Sequence, residues 1–321
     1  FPPRGCVMKG GRTRMEVVRH VEFACLLEVG APKPGNVNRF ADFSDATLED
    51  FLVSAVAVGE TFRRIRRWSV GTLVLRGVTA TRRLTGTNTN LGMLLLLAPL
   101  AMGALASPRG KLRQGVQEVL RGTDAEDARQ VYEAIRRASP GGLGNASAHD
   151  VTDKTADPPS LSKAMEAAAE RNSVAREHVR DFEYTFGLVL PALRGHLAAG
   201  ADLSDAVVRT FLQVLAAVPD TLIARKAGDE EARRISRLAA ELFAAAPSAA
   251  VSPLERPFLR EFDALLRSGG NRTNPGTTAD LIAAGLFCLL SENPGGRDET
   301  VLRFRRRASG EELRQIQGIS E

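Results

Sequence analysis

Apolar residues recur at helical spacing along most of the chain. In the stretch 15–29, Val17, Val21 and Ala24 fall on one face of a helix, and Gly30 is suited to end it. The same spacing predicts further helices at about 47–62, 70–84, 91–106, 111–120, 124–138, 162–170, 173–199, 203–217, 221–228, 230–245, 253–268 and 281–290. Hairpin signals, βαβ units and fixed-period repeats are all lacking in the sequence. The sequence therefore predicts an all-α fold, a single bundle-like domain of many helices.

The pattern also divides the chain into three parts. Residues 1–14 are rich in Pro, Gly and Arg and are predicted to be loose, 15–295 form the helical domain, and 296–321 form a basic C-terminal extension. The helix predicted at 173–199 is expected to kink at Pro191. The apolar stretch 91–106 contains Pro99 and is too short for a confident membrane span, so it is predicted to be a core helix.

Composition narrows the class of protein. Among 321 residues only 5% are aromatic, and the formal net charge is +5. This mild excess of positive charge suits an anionic ligand better than it indicates nucleic-acid binding. Cys6, Cys25 and Cys288 have no paired spacing, which predicts buried thiols in a reducing compartment and hence a cytoplasmic protein without a membrane anchor.

A polar, glycine-rich loop at 269–280 runs into the apolar segment 281–290. Thr277 or Thr278 could cap the helix, which would leave backbone N–H groups facing the loop as a seat for phosphate. Asp280, in the first turn, could stabilise that end or hold a divalent cation. The loop also supplies candidate ligand-binding residues, namely Asn271, Asn274, Gly276 and Thr277. The alternative is an ordinary helix start after a surface loop.

Three other loops share this polar character: Lys33-Pro34-Gly35-Asn36, Thr87-Asn88-Thr89-Asn90 and His149-Asp150-Val151-Thr152-Asp153. Because loops at the helix ends of a bundle can converge, we expect them to form one pocket for a phosphorylated ligand. Lys33 would place a point charge on phosphate beside Gly35. Asn36, Asn88 and Asn90 offer donors and acceptors for ribose or base, although local turn capping is an equal alternative.

Four carboxylates complete the candidate chemistry. Asp150 and Asp153 stand three residues apart, so in a helical turn they face the same side. With Asp280 they would form a set of hard oxygen ligands for Mg²⁺ bridged to a triphosphate, although simple helix capping is the alternative. Glu28 ends the first helix, where a negative charge opposes the helix dipole, so we expect it to line the site.

These loops resemble the triphosphoribosyl-dephospho-CoA synthase family, and the positions after Asn88-Thr89 indicate a less characterised branch of it. The resemblance spans roughly residues 16–290 and rests on the segments 28–37, 87–92, 150–153 and 274–281. It implies an all-helical transferase in prosthetic-group biosynthesis that uses ATP and 3′-dephospho-CoA or a related acceptor. A ribose hydroxyl of the acceptor would attack the anomeric carbon of ATP, and adenine would leave.

On this reading Glu28, Asp150 and Asp153 are the candidate catalytic groups. One would act as the base and another would stabilise the cationic transition state, and their assignment stays open. Lys33 and a Mg²⁺ ion on Asp280 would hold the triphosphate. A homodimer is left open.

Two other readings remain. Asp clusters and Asn-rich loops would equally serve a metal-dependent hydrolase of nucleotides or ADP-ribosyl compounds. The Arg-rich stretches 63–67 and 303–307 would suit a helical nucleic-acid-binding protein, but aromatic residues for base stacking are sparse.

Overall fold

The computed structural model describes residues 11–141, 151, 160–245 and 257–293, and within them the predicted all-α fold is confirmed. No strand occurs in these ranges; two isolated bridge pairs, Asn38 with Ala41 and Phe43 with Ala46, shape one loop. The helices are α1 (Arg14–Gly30), α2 (Leu48–Phe62), α3 (Val70–Thr85), α4 (Leu91–Ala106), α5 (Leu112–Arg121), α6 (Ala125–Ala138), α7 (Leu161–Glu166), α8 (Ser173–Val179), α9 (Leu190–Ala198), α10 (Leu203–Ala217), α11 (Thr221–Ala227), α12 (Asp229–Ala244), α13 (Pro257–Arg267) and α14 (Gly276–Ser291).

Helices α4 and α14 form the centre of the molecule. They pack against each other and against α1, and almost every side chain on both is buried. A helix that is apolar on all sides must be surrounded by other elements, so the remaining helices form a shell around this pair. The apolar stretch 91–106 is thus a core helix, as predicted. Its N-terminus and that of α14 lie beside each other, because Gly92 contacts Asp280.

Side-chain caps fix where several helices begin. Thr13 with Glu16 and Thr47 with Asp50 form reciprocal capping boxes at α1 and α2. Helix α6 starts one residue later than the sequence suggests, because Asp124 is its N-cap. A carboxylate accepts the orphan N–H groups at a helix start and complements the dipole there.

The prediction of a single helix at 173–199 is wrong. Two consecutive residues, Asp181 and Phe182, have φ of 53° and 57° and break it into α8 and a π-helical turn, Thr185–Val189, that continues as α9. The buried Glu177 carboxylate stabilises the break by accepting the backbone N–H groups of Tyr184 and Thr185 at 2.8 and 2.9 Å. The break in the predicted helix therefore lies at Asp181 and Phe182, upstream of Pro191, which is the second residue of α9.

Arg12 lies in the segment predicted to be loose, yet it is fully buried. Its guanidinium donates to the carbonyls of Ala104, Ser107 and Ser291 at 3.1, 3.2 and 2.7 Å, and it pairs with Glu292. These carbonyls lie at the C-terminal ends of α4 and α14, where no backbone N–H of the same helix is available to donate to them. One side chain therefore ties both central helices together.

Among the described helices, no single one is both long and apolar enough to cross a membrane. Leu203–Ala217 and Thr221–Ala227, which meet at a 58° bend, reach that length and composition only when taken together. Cys25 and Cys288 are buried free thiols, as predicted, and burial raises the pKa of Cys25 to about 12. Cys6 lies outside the described residues.

Candidate active site

A polar cavity of about 360 Å³ opens where the predicted loops meet. It is bounded by the loop before α2, the start of α4, the end of α6 and the start of α14. Seven of the side chains or glycines predicted from the sequence line it, namely Asn36, Asn88, Asn90, Asn271, Asn274, Gly276 and Asp280. The convergence expected for loops at the helix ends of a bundle is therefore present for three of the four loops.

A chain of side-chain amides joins two of these loops. Asn36 Nδ2 donates to Asn274 Oδ1 at 2.8 Å, Asn274 Nδ2 donates to Asn271 Oδ1 at 2.9 Å, and Asn271 Nδ2 donates to the Asp45 carboxylate at 3.1 Å. We call this chain the amide relay. It holds the loop after α1 against the loop before α14, so the two sides of the cavity are fixed relative to each other.

The start of α4 supplies the third side. Asn88 Oδ1 accepts the Leu91 N–H at 3.3 Å and so caps α4. This is the local capping that was expected as the alternative to ligand binding. Asn90 Oδ1 accepts the Thr81 hydroxyl at 3.3 Å, while Asn90 Nδ2 is buried and has no hydrogen-bond partner in the described chain. A buried unpaired donor is costly, and this one lies at the cavity wall, where a ligand oxygen would satisfy it.

Asp280 occupies the floor between α14 and α4. Its Oδ2 lies so close to Gly92 that a Cβ added there would be 1.9 Å away, and it accepts a hydrogen bond from the Met93 backbone. Burial raises the pKa of Asp280 well above its ordinary range, and the nearby charges of Glu28 and Asp220 raise it further. The N-terminus of α4 is thus one of the few features that favours the ionised form.

The predicted capping role of Thr277 and Thr278 is wrong. Helix α14 already begins at Gly276, so both threonines lie inside its first turn. Thr278 instead donates its N–H and its hydroxyl to Asp220 Oδ2 at 2.7 and 2.8 Å. Asp220 Oδ1 caps α11 through the N–H groups of Leu222 and Ile223, so this buried carboxylate joins α11 to α14.

Lys33, Glu28 and Gly35 lie outside the cavity wall. Lys33 is fully buried and its Nζ lies 2.9 Å from Glu28 Oε1, with a further hydrogen bond to the Ala31 carbonyl at 3.2 Å. Burial raises the pKa of Glu28 and lowers the pKa of Lys33, and each charge opposes the shift of the other. Gly35, at φ 71°, donates its N–H to Asp263 at 2.7 Å and packs against Leu266. In this structure Lys33 therefore contacts a carboxylate instead of facing a phosphate site.

Asp150 and Asp153, predicted as catalytic and metal-binding residues, lie outside the described residues together with His149. Their roles stay predictions. Val151, the one described residue between them, lines an adjoining cavity and its carbonyl accepts a hydrogen bond from Arg136 at 3.2 Å.

The polar cavity also contains two cationic side chains that the sequence did not single out. Arg82 and Lys226 both line it, and each is anchored by a backbone carbonyl, that of Ala138 at 3.4 Å and that of Asn271 at 3.0 Å. Both come from amphipathic helices in which many positions hold Arg or Lys, so no local pattern marks them. Cations at these positions would neutralise the charge of a bound phosphate.

A second, largely apolar cavity of about 200 Å³ adjoins the first. Asn88, Gly92, Leu222 and Asp280 are among the residues that line both cavities, so Asp280 stands at the junction. Its apolar wall includes Leu95, Val131, Tyr132, Ile135 and Met165. The arrangement can hold a charged group on one side of Asp280 and a flatter, less polar group on the other.

The described residues contain no group of three or more His, Cys, Asp and Glu side chains that could bind a metal ion. Mg²⁺, however, commonly takes only one or two carboxylates and completes its shell with phosphate oxygens and water. Asp280, at the cavity floor, could supply one such carboxylate. The Glu28 oxygens near it are buried without a well-aligned hydrogen bond.

The described part of the chain is thus an all-α protein whose helices surround a polar cavity suited to an anionic ligand. The family of ATP:dephospho-CoA triphosphoribosyl transferases matches residues 14–298. The chain belongs to this family.

Two similar proteins agree with this assignment. The chain is 35% identical over 105 residues to a probable 2-(5''-triphosphoribosyl)-3'-dephosphocoenzyme-A synthase of Pectobacterium carotovorum subsp. carotovorum, a match that covers 33% of this chain and 31% of that protein. It also resembles, at a TM-score of 0.57 and 29% identity, a crystal structure from Archaeoglobus fulgidus assigned as a triphosphoribosyl-dephospho-CoA synthase. That match covers 75% of this chain and 98% of the other.

Proposed function

We propose that this protein transfers the triphosphoribosyl group of ATP to a ribose hydroxyl of 3′-dephospho-CoA or a closely related acceptor. The bond between the anomeric carbon and adenine breaks, and a bond from that carbon to the acceptor oxygen forms. The acceptor hydroxyl loses its proton and adenine gains one, so atoms and charge balance. The triphosphate stays on the transferred sugar.

The observation that carries the proposal is the convergence of Asn36, Asn88, Asn90, Asn274 and Asp280 on one cavity in a member of this family. Amides supply both donors and acceptors, as a ribose with several hydroxyls requires. Arg82 and Lys226 supply positive charge for the triphosphate. The neighbouring apolar cavity gives a second substrate a place to approach the same carboxylate.

Asp280 is the group best placed to act on the reacting atoms, because it alone among the described carboxylates lines both cavities. Burial raises its pKa well above the ordinary value, which favours the protonated form over the ionised one. It can therefore give a proton to the leaving adenine or, once ionised, stabilise the positive charge that develops at the anomeric carbon. Glu28 with Lys33 would act from behind, by setting the electrostatic potential at Asp280. Asp150 and Asp153 remain candidates for the base.

Mg²⁺ is part of the proposal. Asp280 would hold it, with the remaining ligands coming from the triphosphate and from Asp150 or Asp153. When bound, the ion would neutralise phosphate charge and keep the triphosphate in place. A cytoplasmic location and a homodimer also remain predictions.

The test is incubation of the purified protein with ATP, Mg²⁺ and dephospho-CoA, followed by mass spectrometry. We expect free adenine together with an acceptor heavier by one triphosphoribosyl group. Adenine accompanied by free ribose triphosphate would indicate a hydrolase, and intact ATP with every acceptor would overturn the proposal. Asp280→Asn should reduce adenine release by about 10²-fold or more, the usual contribution of a positioned acid–base group.

A further inference from the structure

A second pair of cationic side chains lies on the other side of Asp280. Arg171 and Arg225 both line the apolar cavity, whereas Arg82 and Lys226 line only the polar one. Arg171 precedes the N-cap of α8, and Arg225 lies on α11. The same two arginines also line a neighbouring groove of about 420 Å³ that contains Ser173, Tyr184 and Thr221, which we call the basic groove.

These arginines lack the counter-ions that other arginines of the protein have. No ion pair or side-chain hydrogen bond joins either of them to another described residue, and Arg225 Nε is buried without a partner. By contrast, Arg176 and Arg233 in the same groove pair with Glu183 and Asp229. Arg171 is exposed and Arg225 is half-buried, so an incoming anion can reach both, and the buried Nε of Arg225 is an unsatisfied donor that such an anion could pair with.

Electrostatics support the same conclusion. Burial lowers the pKa of Arg225, and the nearby charge of Arg171 lowers it further. The charges of Asp220 and Asp280 oppose this shift, but neither carboxylate forms an ion pair with Arg225, and each oxygen of Asp220 already accepts two hydrogen bonds. Two neighbouring guanidinium groups that line one cavity suit an anion with several oxygens, because their planar donor groups match phosphate geometry.

We propose that Arg171 and Arg225 bind the diphosphate of the acceptor, an inference that rests on the proposed function. Both substrates are polyphosphates, and transfer requires that they meet near Asp280 while their charges stay apart. The polar cavity, with Arg82 and Lys226, would take the triphosphate of ATP. The acceptor would then place its diphosphate on Arg171 and Arg225, and its long chain would leave along the basic groove.

The experiment compares Arg171→Gln and Arg225→Gln with the wild type and with Arg129→Gln. Arg129 is a half-exposed arginine on α6 that pairs with Glu126 and lines neither cavity, so its variant removes a charge without removing a cavity residue. We expect the KM for dephospho-CoA to rise about 10- to 100-fold in each cavity variant, the range for losing charge-assisted hydrogen bonds, while the KM for ATP is unchanged. Equilibrium binding of dephospho-CoA without ATP should weaken by the same factor.

Adenosine, which lacks the diphosphate, serves as the second probe. Its binding should be equal in wild type and variants, and Arg225→Lys, which keeps the charge, should recover part of the affinity for dephospho-CoA. A rise in the KM for ATP instead, or an equal loss with adenosine, would overturn the inference and leave the transferase proposal intact. If the wild type releases no adenine at all, the proposed function fails, while the binding measurements still report separately on the two arginines.

Discussion

His178 Nε2 donates to the backbone carbonyl of Leu95 at 2.9 Å, and this is the carbonyl that Pro99 leaves without a partner. In an uninterrupted helix the N–H of the residue four positions later would bind it, but proline has no N–H. A carbonyl only accepts, so Nε2 carries a proton, and because burial lowers the pKa of His178 to about 4 the ring is neutral near pH 7 with its buried Nδ1 unprotonated. The His178 side chain therefore replaces the backbone hydrogen bond that Pro99 removes from α4, next to the apolar cavity.

This buried histidine should make the free energy of unfolding of the protein sensitive to acid. Burial lowers the pKa of His178 to about 4, whereas an unfolded chain binds the proton near 6.5. Because the folded pKa is the lower one, the stabilisation is complete above pH 6.5 and is lost as the pH falls towards 4. The full loss is about 3 kcal/mol. Denaturant unfolding at a series of pH values would measure it.

His178→Gln is the matched variant, since its amide can still donate to Leu95 without binding a proton. Its free energy of unfolding should fall less steeply between pH 6.5 and 4 than that of the wild type. Glu177, whose pKa burial raises to about 6, contributes with the opposite sign but equally in both proteins. Parallel pH profiles would contradict the proposed role of His178.

Gly92→Ala should displace Asp280. The new methyl would lie 1.9 Å from the Asp280 Oδ2, so the carboxylate must leave the junction of the two cavities. We expect adenine release to fall about 10²-fold, since a shift of roughly 1 Å in a catalytic group costs that much. Gly195→Ala is the control, because it also replaces a helical glycine and meets no atom within 4 Å. Equal activity of the two variants would show that Asp280 need not occupy this position.

Lys33→Met should destabilise the fold by about 3–5 kcal/mol, because it leaves the Glu28 carboxylate buried and unpaired. Replacing both residues, as Lys33→Met with Glu28→Met, should recover most of the stability. Chemical denaturation gives the free energies, and ATP binding to the double variant distinguishes the roles. If ATP affinity survives in the double variant, Lys33 is not a phosphate ligand; a large loss in a folded double variant would restore the sequence-based prediction.

Asn274→Ala removes the middle member of the amide relay. It breaks the hydrogen bonds to Asn36 and Asn271, so the two loops lose their side-chain link. We expect the KM for ATP to rise about tenfold, with a stability loss of about 1–2 kcal/mol for two hydrogen bonds. Gln130→Ala, which removes an amide from an exposed pair with Glu126, is the control. An unchanged KM for ATP in Asn274→Ala would separate the relay from ligand binding.

The sequence predicted the helices and the convergence of three loops, since both follow from local composition. Helical spacing identified α4 and α14. Because the polar loops lie at helix ends, the packing of the helices brings their polar residues together. The break at Asp181 and Phe182 could not be predicted, because aspartate adopts a left-handed conformation only occasionally and phenylalanine rarely does. The break is stabilised by the buried Glu177 carboxylate, which accepts hydrogen bonds from the N–H groups of Tyr184 and Thr185.

The same limit applies to the cations. Lys33 stands in a loop between two prolines, a pattern typical of an exposed side chain, and its burial follows from the carboxylate five residues earlier. Arg82, Arg225 and Lys226 lie on helices and Arg171 lies in the turn before α8, and no local sequence pattern distinguishes them from the many other cationic residues of the chain. Sequence spacing shows which face of a helix a residue occupies, but not which face meets a cavity.

The direction of the amide relay determines what Asn36 can offer a ligand. Because the Asp45 carboxylate can only accept, Asn271 must turn its NH₂ group outward to it, and Asn274 and Asn36 must follow in the same sense. The oxygen of Asn36 is left at the upstream end, as a hydrogen-bond acceptor. A sugar hydroxyl can donate a hydrogen bond to this oxygen, and an unprotonated phosphate oxygen cannot. The exposed Asp45 carboxylate therefore determines, through Asn271 and Asn274, that Asn36 binds a hydrogen-bond donor.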